Sequence, residues 1–335
     1  MKITVAVDIM GGDNPPAELA SGAFDAAKEF SDSLELILVG TEEAISSLPA
    51  LPENIKTRTA LSVVEMTDEP SVVMKEKKDS SLVTAVTLCR DGEADAVVSA
   101  GNTGALFTAA SLIIRRVKGV RRAALGSVIP LEKPFILLDC GANLDANPEV
   151  LQLYARMGSI YAENVLGIEN PRVALLNNGA EPHKGNALQI DTYALLSKDE
   201  SINFVGNCEG KGIPFGACDV LVCDGFTGNI TLKLIEGMGK FMSNTIKGIF
   251  KASPIAMVGG ALTLKQTKAL KKRLDPAEYG GAPFLGLAKP VIKAHGSSDA
   301  YSFRSAIKQV MLYCQSGTVD KMAASMQKKT TPSED

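Results

Sequence analysis

The segment VVSAGNTGAL, from Val97 to Leu106, holds the pattern that decides the fold. An apolar run enters a Gly-Asn-Thr-Gly turn, and an apolar stretch with helical spacing follows it. The segment LVCDGFTGNITLK, from Leu221 to Lys233, repeats this order and again sets a Thr-Gly pair beside an asparagine. A buried strand followed by a tight turn and a helix is the repeating unit of parallel α/β sheets. The two segments therefore predict an α/β fold with polar turns at its strand ends.

The same alternation extends along most of the chain. Nearly continuous runs of Val, Ile, Leu and Ala predict strands at 3–8, 34–40, 56–60, 96–100, 134–140, 172–177, 202–206, 219–223 and 290–294. Helical spacing predicts helices at 16–29, 80–92, 103–116, 148–165, 187–197, 227–250 and 298–313. Apolar strands of this kind are covered on both faces. We predict a three-layer, mostly parallel sheet with helices on both faces.

No Gly/Ser-rich linker divides the sequence, so we expect one α/β catalytic unit over residues 1–335, with two lobes as an option. Two long helical patterns follow one another over residues 227–276, and Pro254 with Gly259 and Gly260 separates them. Proline and paired glycines break helices, which predicts a projecting helical hairpin. Residues 328–335 are expected to be a flexible tail.

Composition limits the functional class. The 35 Lys and Arg residues against 38 Asp and Glu give a net charge of −3, which argues against a general nucleic-acid binder. No apolar run reaches the length of a membrane span, and Asp8 interrupts the N-terminal run where a signal peptide would stay apolar. We expect a cytosolic protein. Its six cysteines form no CxxC pair, which predicts reduced, mostly buried thiols and no structural zinc.

Six predicted strands end in turns that combine glycine with Asn, Asp, Ser or Thr. They read DIMGGDNPP, SAGNTGA, LDCGANLDANP, LLNNGAEPHKGNA, CDGFTGN and KAHGSSDA. Because ligands of an open α/β sheet lie beyond the carboxyl ends of its strands, we expect all six at one edge. Glycine lets backbone N–H groups approach a ligand, and helix N-termini favour anions, which predicts a phosphate site. The structural alternative is a set of tight turns in which Thr103, Thr227 and Ser298 simply cap helices.

Other ligands receive less support from the motifs. The sequence contains neither GxGxxG nor GxxxxGK[ST], the fingerprints of a dinucleotide site and a P-loop. Asp139, Asp145 and Asp224 are candidates for a divalent cation, although carboxylates at strand ends more often accept backbone hydrogen bonds. His295 is a candidate acid, base or anion donor. Cysteines 140 and 223 end strands, and we expect them to fill space rather than act as nucleophiles.

Read in order, these blocks resemble the phosphate acyltransferase family of bacterial phospholipid synthesis. The resemblance covers nearly the whole chain and also includes TDEP followed by KKDSS, and YGGAPFLGL. Two small departures are Ile9, where the family usually has Ala, and Ala123, where it tends to have Pro. The resemblance implies a fold similar to isocitrate dehydrogenase and phosphotransacetylase, and a homodimer.

The implied reaction moves a long fatty acyl group from the thioester of acyl carrier protein to inorganic phosphate. The acyl-phosphate would then pass to a membrane acyltransferase that begins phosphatidic acid synthesis. Phosphate is the nucleophile, so no cofactor, metal or enzyme nucleophile is expected. A thiolate is a fairly good leaving group, which makes strong general-acid help optional.

Motif positions suggest which residues act. Those expected to neutralise, polarise or orient the charged centre are Lys184, Asn186, His295, Asn229 and Asp224. Those expected to bind phosphate or substrate are Asp8, Gly11, Gly12, Asp13, Gly101, Asn102, Thr103, Gly104, Asn143, Thr227, Gly228, Ser297 and Ser298.

Two surfaces are predicted outside the pocket. The segment RRVKGVRR carries five cations that could dock acidic acyl carrier protein, namely Arg115, Arg116, Lys118, Arg121 and Arg122. A solvated helix end is the alternative. Residues 252–264 carry no charge, and we expect the hairpin tip to contact the membrane interface through Ile255, Met257, Val258 and Leu262. Burial against a second subunit is the alternative.

Three other functions remain open from the residues. A short-chain phosphotransacetylase would use acyl-coenzyme A in place of carrier protein. A decarboxylating dehydrogenase of similar fold would need NAD, for which the fingerprint is missing. A non-catalytic scaffold would recruit acyl carrier protein to the inner face of the membrane, but it would not need six polar strand-end turns.

Overall fold

The computed structural model describes residues 2–131, 133–267 and 279–327. In this part of the chain, eleven strands form one sheet. They are β1 (Ile3–Asp8), β2 (Leu34–Thr41), β3 (Ile55–Ala60), β4 (Ala96–Ser99), β5 (Ala124–Ile129), β6 (Phe135–Leu138), β7 (Arg172–Asn177), β8 (Asn203–Glu209), β9 (Val220–Val222), β10 (Ala282–Leu285) and β11 (Val291–Lys293).

The sheet consists of two parallel blocks joined by antiparallel strands. The order is β3-β2-β1-β4-β11-β10-β5-β6-β9-β7-β8. Strands β3, β2, β1, β4 and β11 are parallel to one another, and so are β6, β9, β7 and β8. The three pairings between the blocks, β11 with β10, β10 with β5 and β5 with β6, are all antiparallel. An odd number of reversals makes the two blocks run in opposite directions.

Helices cover both faces of the sheet. They are α1 (Pro16–Glu29), α2 (Glu42–Ser46), α3 (Ser81–Arg90), α4 (Thr103–Ala109), α5 (Pro148–Asn164), α6 (Ala187–Leu196), α7 (Gly225–Lys251), α8 (Pro254–Leu262), α9 (Ala300–Gln315) and α10 (Thr318–Gln327). Two cores result, because neighbouring strand residues point to opposite faces. Val5 and Val7 belong to the core under α1, α5 and α9, whereas Ala6 belongs to the core under α3 and α4.

This architecture confirms the predicted α/β class and all nine predicted strands, two with the predicted bounds and seven with ends shifted by up to three residues. The prediction missed β5 and β10, the two short strands that join the parallel blocks. The predicted helix over 103–116 was too long. The α-helix ends at Ala109, a π-helical turn covers Ala110–Ile114, and Arg115 adopts a left-handed φ of 71°.

The predicted helical hairpin begins as expected. Helix α7 is 27 residues long, and α8 packs against it after a break at Ser253. Most of α7 and all of α8 are exposed or half-buried. Predicted hairpin residues 268–276 and the predicted tail, 328–335, lie outside the described residues. Among the described helices, none has the length and apolar character needed to cross a membrane.

Candidate functional site

The predicted site residues divide between two edges of the sheet, so the expectation of one edge is wrong. The first edge carries the turns after β1, β4 and β11, and the second edge carries the turns after β6, β7 and β9. The reversed direction of the second parallel block separates them. His295 therefore lies at the first edge, whereas Lys184, Asn186, Asn229 and Asp224 lie at the second.

Asp139 organises the second edge. One carboxylate oxygen accepts hydrogen bonds from the N–H groups of Leu125, Gly141 and Ala142 at 3.0 to 3.1 Å. The other accepts from the backbone and side-chain amides of Asn143 at 2.8 and 3.0 Å. Burial raises the pKa of Asp139, and these donors oppose the shift. The carboxylate thus shapes its loop through backbone hydrogen bonds, which the sequence analysis gave as the alternative to metal binding.

The first turn of α7 packs directly on the Asp139 loop. A Cβ at Gly228 would lie 1.9 Å from the carbonyl oxygen of Asp139, and one at Gly225 would lie 2.4 Å from that of Asn143. Only glycine permits this approach. Asp224 caps the helix by accepting from the backbone of Thr227 at 2.9 Å and from its hydroxyl at 2.7 Å. The DGFTG motif therefore fixes α7 at the strand edge.

Amide and ammonium groups follow the strand ends of the second edge. The side chain of Asn229, on the exposed side of α7, contacts Gly141. On the neighbouring strand end, the amide of Asn177 donates to the carbonyl of Lys184 at 3.0 Å and fixes the backbone of that loop. The Lys184 side chain is exposed. Asn186 caps α6 through a 2.8 Å hydrogen bond from the N–H of Leu188. Helix capping is therefore an alternative to its predicted role in the reaction.

Close packing of glycines also holds the first edge. Asp8 accepts from the hydroxyl of Ser99 at 2.7 Å, and that hydroxyl accepts from the N–H of Gly101 at 3.0 Å. Burial raises the pKa of Asp8, against several hydrogen bonds that lower it. A Cβ at Gly11 would lie 2.4 Å from the nitrogen of Gly101. The turns after β1 and β4 are therefore in direct contact.

Asn102, not Thr103, caps α4. Its side-chain oxygen accepts from the N–H of Ala105 at 3.0 Å. Its amide donates to the carbonyl oxygens of Met66 and Asp68 at 3.0 and 2.9 Å. A Cβ at Gly104 would lie 2.7 Å from the ring of Pro70, which follows in the same loop. The GNTG motif thus joins α4 to the loop that contains TDEP.

The turn after β11 presents His295. Its Nδ1 accepts from the N–H of Ser297 at 3.2 Å and lies 2.9 Å from the Ser297 hydroxyl. This leaves Nε2 to carry the proton of the neutral ring. Burial lowers the pKa of His295, so the neutral form extends below its usual range. Ser298 is buried with no hydrogen-bond partner for its hydroxyl, and Asp299 rather than Ser298 caps α9.

Helix α7 connects the two edges. It begins beside the Asp139 loop, and Leu232 and Ile235 pack against the core under α3 and α4. Lys233 and Glu236 form a 3.0 Å ion pair between the edges. The charge of Glu236 acts on both His295 and Cys140, which lie at different edges, and tends to raise the pKa of each. Burial has the larger effect at both residues, lowering the pKa of His295 and raising that of Cys140.

The basic segment 115–122 lies at the second edge. Arg122 donates to the carbonyl of Asp145 at 2.7 Å, and the amide of Asn143 donates to the carbonyl of Ala123 at 2.7 Å. The chain then enters β5, whose Leu125 N–H bonds to Asp139. The segment begins at Arg115, which ends the π-helical turn as the helix-end alternative expected, and continues as a loop with a turn at residues 118–119.

The cysteines and carboxylates fit structural roles. Cys140 and Cys223 are buried, and burial raises the pKa of each thiol, as expected for side chains that fill space. Within the described residues, no group of three or more His, Cys, Asp or Glu side chains could hold a metal ion.

Sequence reasoning noted Asp139 at a strand end but missed its central position. Ser99 was missed altogether, as was the hydrogen bond from Asn143 to Ala123, the residue that follows the basic segment. An aspartate directly after an apolar run is the signal that could have identified Asp139 as a loop-forming residue.

Known proteins share this sequence and fold. The family model described as "Fatty acid synthesis protein" matches residues 3–321. The chain is 42% identical to a phosphate acyltransferase of Clostridium perfringens over 97% of both chains. It is 46% identical to one of Brevibacillus brevis over 97% of this chain and 98% of that one. A phosphotransacetylase structure from Streptococcus pyogenes shares the fold, with a TM-score of 0.61, 16% identity and 94% of each chain covered. The chain therefore belongs to the fatty acid synthesis protein family that includes the phosphate acyltransferases.

Proposed function

We propose that this enzyme transfers a long-chain fatty acyl group from acyl carrier protein to inorganic phosphate. The products are acyl-phosphate and free carrier protein, and the acyl-phosphate supplies phosphatidic acid synthesis. The observation that carries the proposal is full-length similarity to phosphate acyltransferases, together with the second edge. That edge combines a helix N-terminus, exposed amide and lysine side chains and an adjoining basic segment.

The reaction needs no group from the enzyme to become covalently attached. A phosphate oxygen attacks the thioester carbonyl carbon, a C–O bond forms, and the C–S bond breaks. The electron pair leaves on sulfur as a thiolate, which then takes a proton. The enzyme has to hold an anion, orient it and stabilise the oxyanion that develops.

At the second edge, Lys184 and Asn229 are proposed to face the charged centre, with Asn186 beside them. The N-terminus of α7 adds partial positive charge, and Asp224 and Asn143 hold that helix and its loop in place. Thr227 and Gly228 keep the first turn of α7 against the loop. The arrangement concentrates neutral donors and one cation at the strand ends, which suits the oxyanion that develops on the thioester carbonyl.

At the first edge, we propose that the turns bind the phosphate substrate. Asp8, Gly11, Gly12, Asp13, Gly101, Asn102, Thr103 and Gly104 form two of these turns, and His295, Ser297 and Ser298 form the third. His295 is proposed to act as a neutral donor through Nε2, since burial lowers its pKa. Helix α7 links this edge to the proposed acyl-transfer centre.

Carrier protein is proposed to dock on the basic segment. Arg115, Arg116, Lys118, Arg121 and Arg122 carry its charge, and the segment adjoins the Asp139 loop through Arg122. An acidic partner bound there would deliver its thioester near the second edge. Electrostatic steering of this kind weakens as salt is added.

The exposed apolar surface of the hairpin supports membrane contact. In α8, Ile255 is 85% exposed and Leu262 is 78% exposed, and Met257 and Val258 are also exposed. Peripheral attachment at the inner face of the cell membrane would deliver an amphiphilic product to the downstream membrane acyltransferase.

A homodimer would cover a second apolar surface. Phe226, Ile230 and Leu234 are spaced four residues apart on α7 and are each more than half exposed. This spacing sets them on one face of the helix. We propose that a second copy of the chain packs against it.

The test is phosphate-dependent consumption of palmitoyl-acyl carrier protein beside palmitoyl-coenzyme A. Phosphate-dependent loss of the carrier-protein thioester supports the proposal. Reaction with coenzyme A alone would favour a phosphotransacetylase, and no reaction with either would favour a scaffold.

A further inference from the structure

Lys293, the last residue of β11, is a buried cation that the scheme above does not use. It is 7% exposed. Its ammonium donates hydrogen bonds to the carbonyl oxygen of Ala100, at 3.0 Å, and to that of Ala294. One side chain therefore ties the turn after β4 to the turn after β11.

The turn after β1 packs on the same two turns. Gly12 has a φ of 109°, and a Cβ there would lie 2.8 Å from the carbonyl oxygen of Gly296 and 3.2 Å from the Cβ of Ala100. The N–H of Asp13 donates to the carbonyl of Gly296 at 2.7 Å. The three turns thus form one packed unit, and Lys293 lies within it.

Charged groups from three elements act on Lys293. Burial lowers its pKa to about 8, Asp13 and Asp8 of the first turn oppose that shift, and Lys233 of α7 adds to it. Lys293 in turn lowers the pKa of His295, which lies two residues further along the chain, and Glu236 pairs with Lys233. The ammonium is therefore charged at neutral pH and loses its proton in mildly alkaline solution.

Deprotonation weakens the two bonds, because hydrogen bonds from a charged donor are roughly twice as strong as neutral ones. It does not weaken the fold. The pKa of Lys293 is about 8 in the folded protein against an ordinary value of 10.5, so the unfolded chain holds more protons between these values. Stability therefore rises with pH across that window.

We propose that Lys293 is a positioning residue whose ammonium holds the turns after β1, β4 and β11 in the arrangement that binds the phosphate substrate. This rests on the proposed acyl transfer to phosphate. It predicts that phosphate affinity falls in alkaline solution while the fold becomes no less stable.

The test measures kcat and KM for inorganic phosphate against pH, together with thermal stability, in the wild type, Lys293→Met, Lys293→Arg and Lys289→Met. Lys289 precedes the same strand and serves as the matched control. In the wild type and in Lys289→Met, KM should rise about tenfold per pH unit above about pH 8. Lys293→Arg stays charged, so it should lack this rise. Lys293→Met should show a KM raised at least about tenfold at pH 7.

The titration of phosphate itself is common to all four proteins and cancels in their ratios. Identical pH profiles for the wild type and Lys293→Arg would overturn the inference. So would a Lys293→Met protein that loses only thermal stability. If Lys293→Met does not fold, the inference is tested by comparing the pH dependence of KM for phosphate in the wild type and in Lys293→Arg. A wild type without phosphate-dependent turnover at any pH would instead refute the proposed function.

Discussion

The close contact between α7 and the Asp139 loop predicts that Gly228→Ala lowers both stability and activity. The added Cβ would lie 1.9 Å from the carbonyl oxygen of Asp139 and 2.9 Å from the sulfur of Cys223. Carbon atoms in good contact lie about 3.5 Å or more from their neighbours, so the helix end has to move by about 1.5 Å. Overpacking costs about 3 kcal/mol at its usual upper limit. Replacing a helical glycine by alanine returns about 1 kcal/mol.

Gly228→Ala should therefore lower the free energy of unfolding by about 2 kcal/mol. Because α7 carries Asn229 and faces the proposed reaction centre, a shift of this size should lower kcat/KM about 100-fold. Gly239→Ala is the matched control, since Gly239 lies in the same helix with no atom within 4 Å of its added Cβ. The control should keep its activity and gain up to about 1 kcal/mol. Urea unfolding and phosphate-dependent thioester consumption measure both effects. Equal stability and kcat/KM for the two variants would show that the close contact at Gly228 does not position α7.

Four further outcomes are expected. Lys184→Ala should lower kcat/KM about 100-fold, with Lys198→Ala as the unaffected exposed control. Asp199→Asn should cost about 3 to 5 kcal/mol in urea unfolding at pH 7, because it breaks a buried 2.6 Å ion pair with a guanidinium of α5. Burial raises the pKa of Asp199, but its hydrogen bonds and ion pair outweigh that effect, so the pKa in the folded protein is lowered. The stability difference between wild type and Asp199→Asn should therefore be complete above the ordinary aspartate pKa. It should vanish as the pH falls through the lowered pKa of the folded protein. Arg121→Glu and added salt should each raise KM for carrier protein, and salt-independent KM values would argue against docking on the basic segment. Val258→Asp should reduce binding to anionic vesicles in a flotation assay while the oligomeric state is kept, and unchanged binding would argue against membrane contact.

The sequence predicts the elements well because burial on both faces leaves a clear mark. Strands such as β6 and β9 are entirely apolar, and the polar turns that follow them are easy to locate. The direction of the second parallel block could not be predicted, because it depends on β5 and β10. β10 has four residues and contains Pro283, and it joins β11, which follows it closely, to β5 from a distant part of the chain. Because these two strands were not predicted, both groups of turns were wrongly expected at one edge of the sheet.

The glycines in the sequence correctly mark the tight turns at the strand ends, but they do not reveal the function of those turns. Gly11, Gly104, Gly225 and Gly228 are each required by close contact with a neighbouring backbone or ring. The same residues would also let a phosphate approach, so their presence alone does not separate the two explanations. Capping shows the same limit, since Asn102, which was expected to bind substrate, also caps α4. Lys293 was visible at a strand end, but only the three-dimensional structure shows its bonds to Ala100 and Ala294.

The most direct test of the central claim follows the oxygen atoms of phosphate. Palmitoyl-acyl carrier protein is incubated with the enzyme and fully ¹⁸O-labelled inorganic phosphate, and the lipid product is identified by mass spectrometry. Acyl transfer to phosphate predicts palmitoyl-phosphate that retains all four labelled oxygens, with one free carrier thiol released per product. Unlabelled palmitic acid as the only product would show transfer to water and contradict the account.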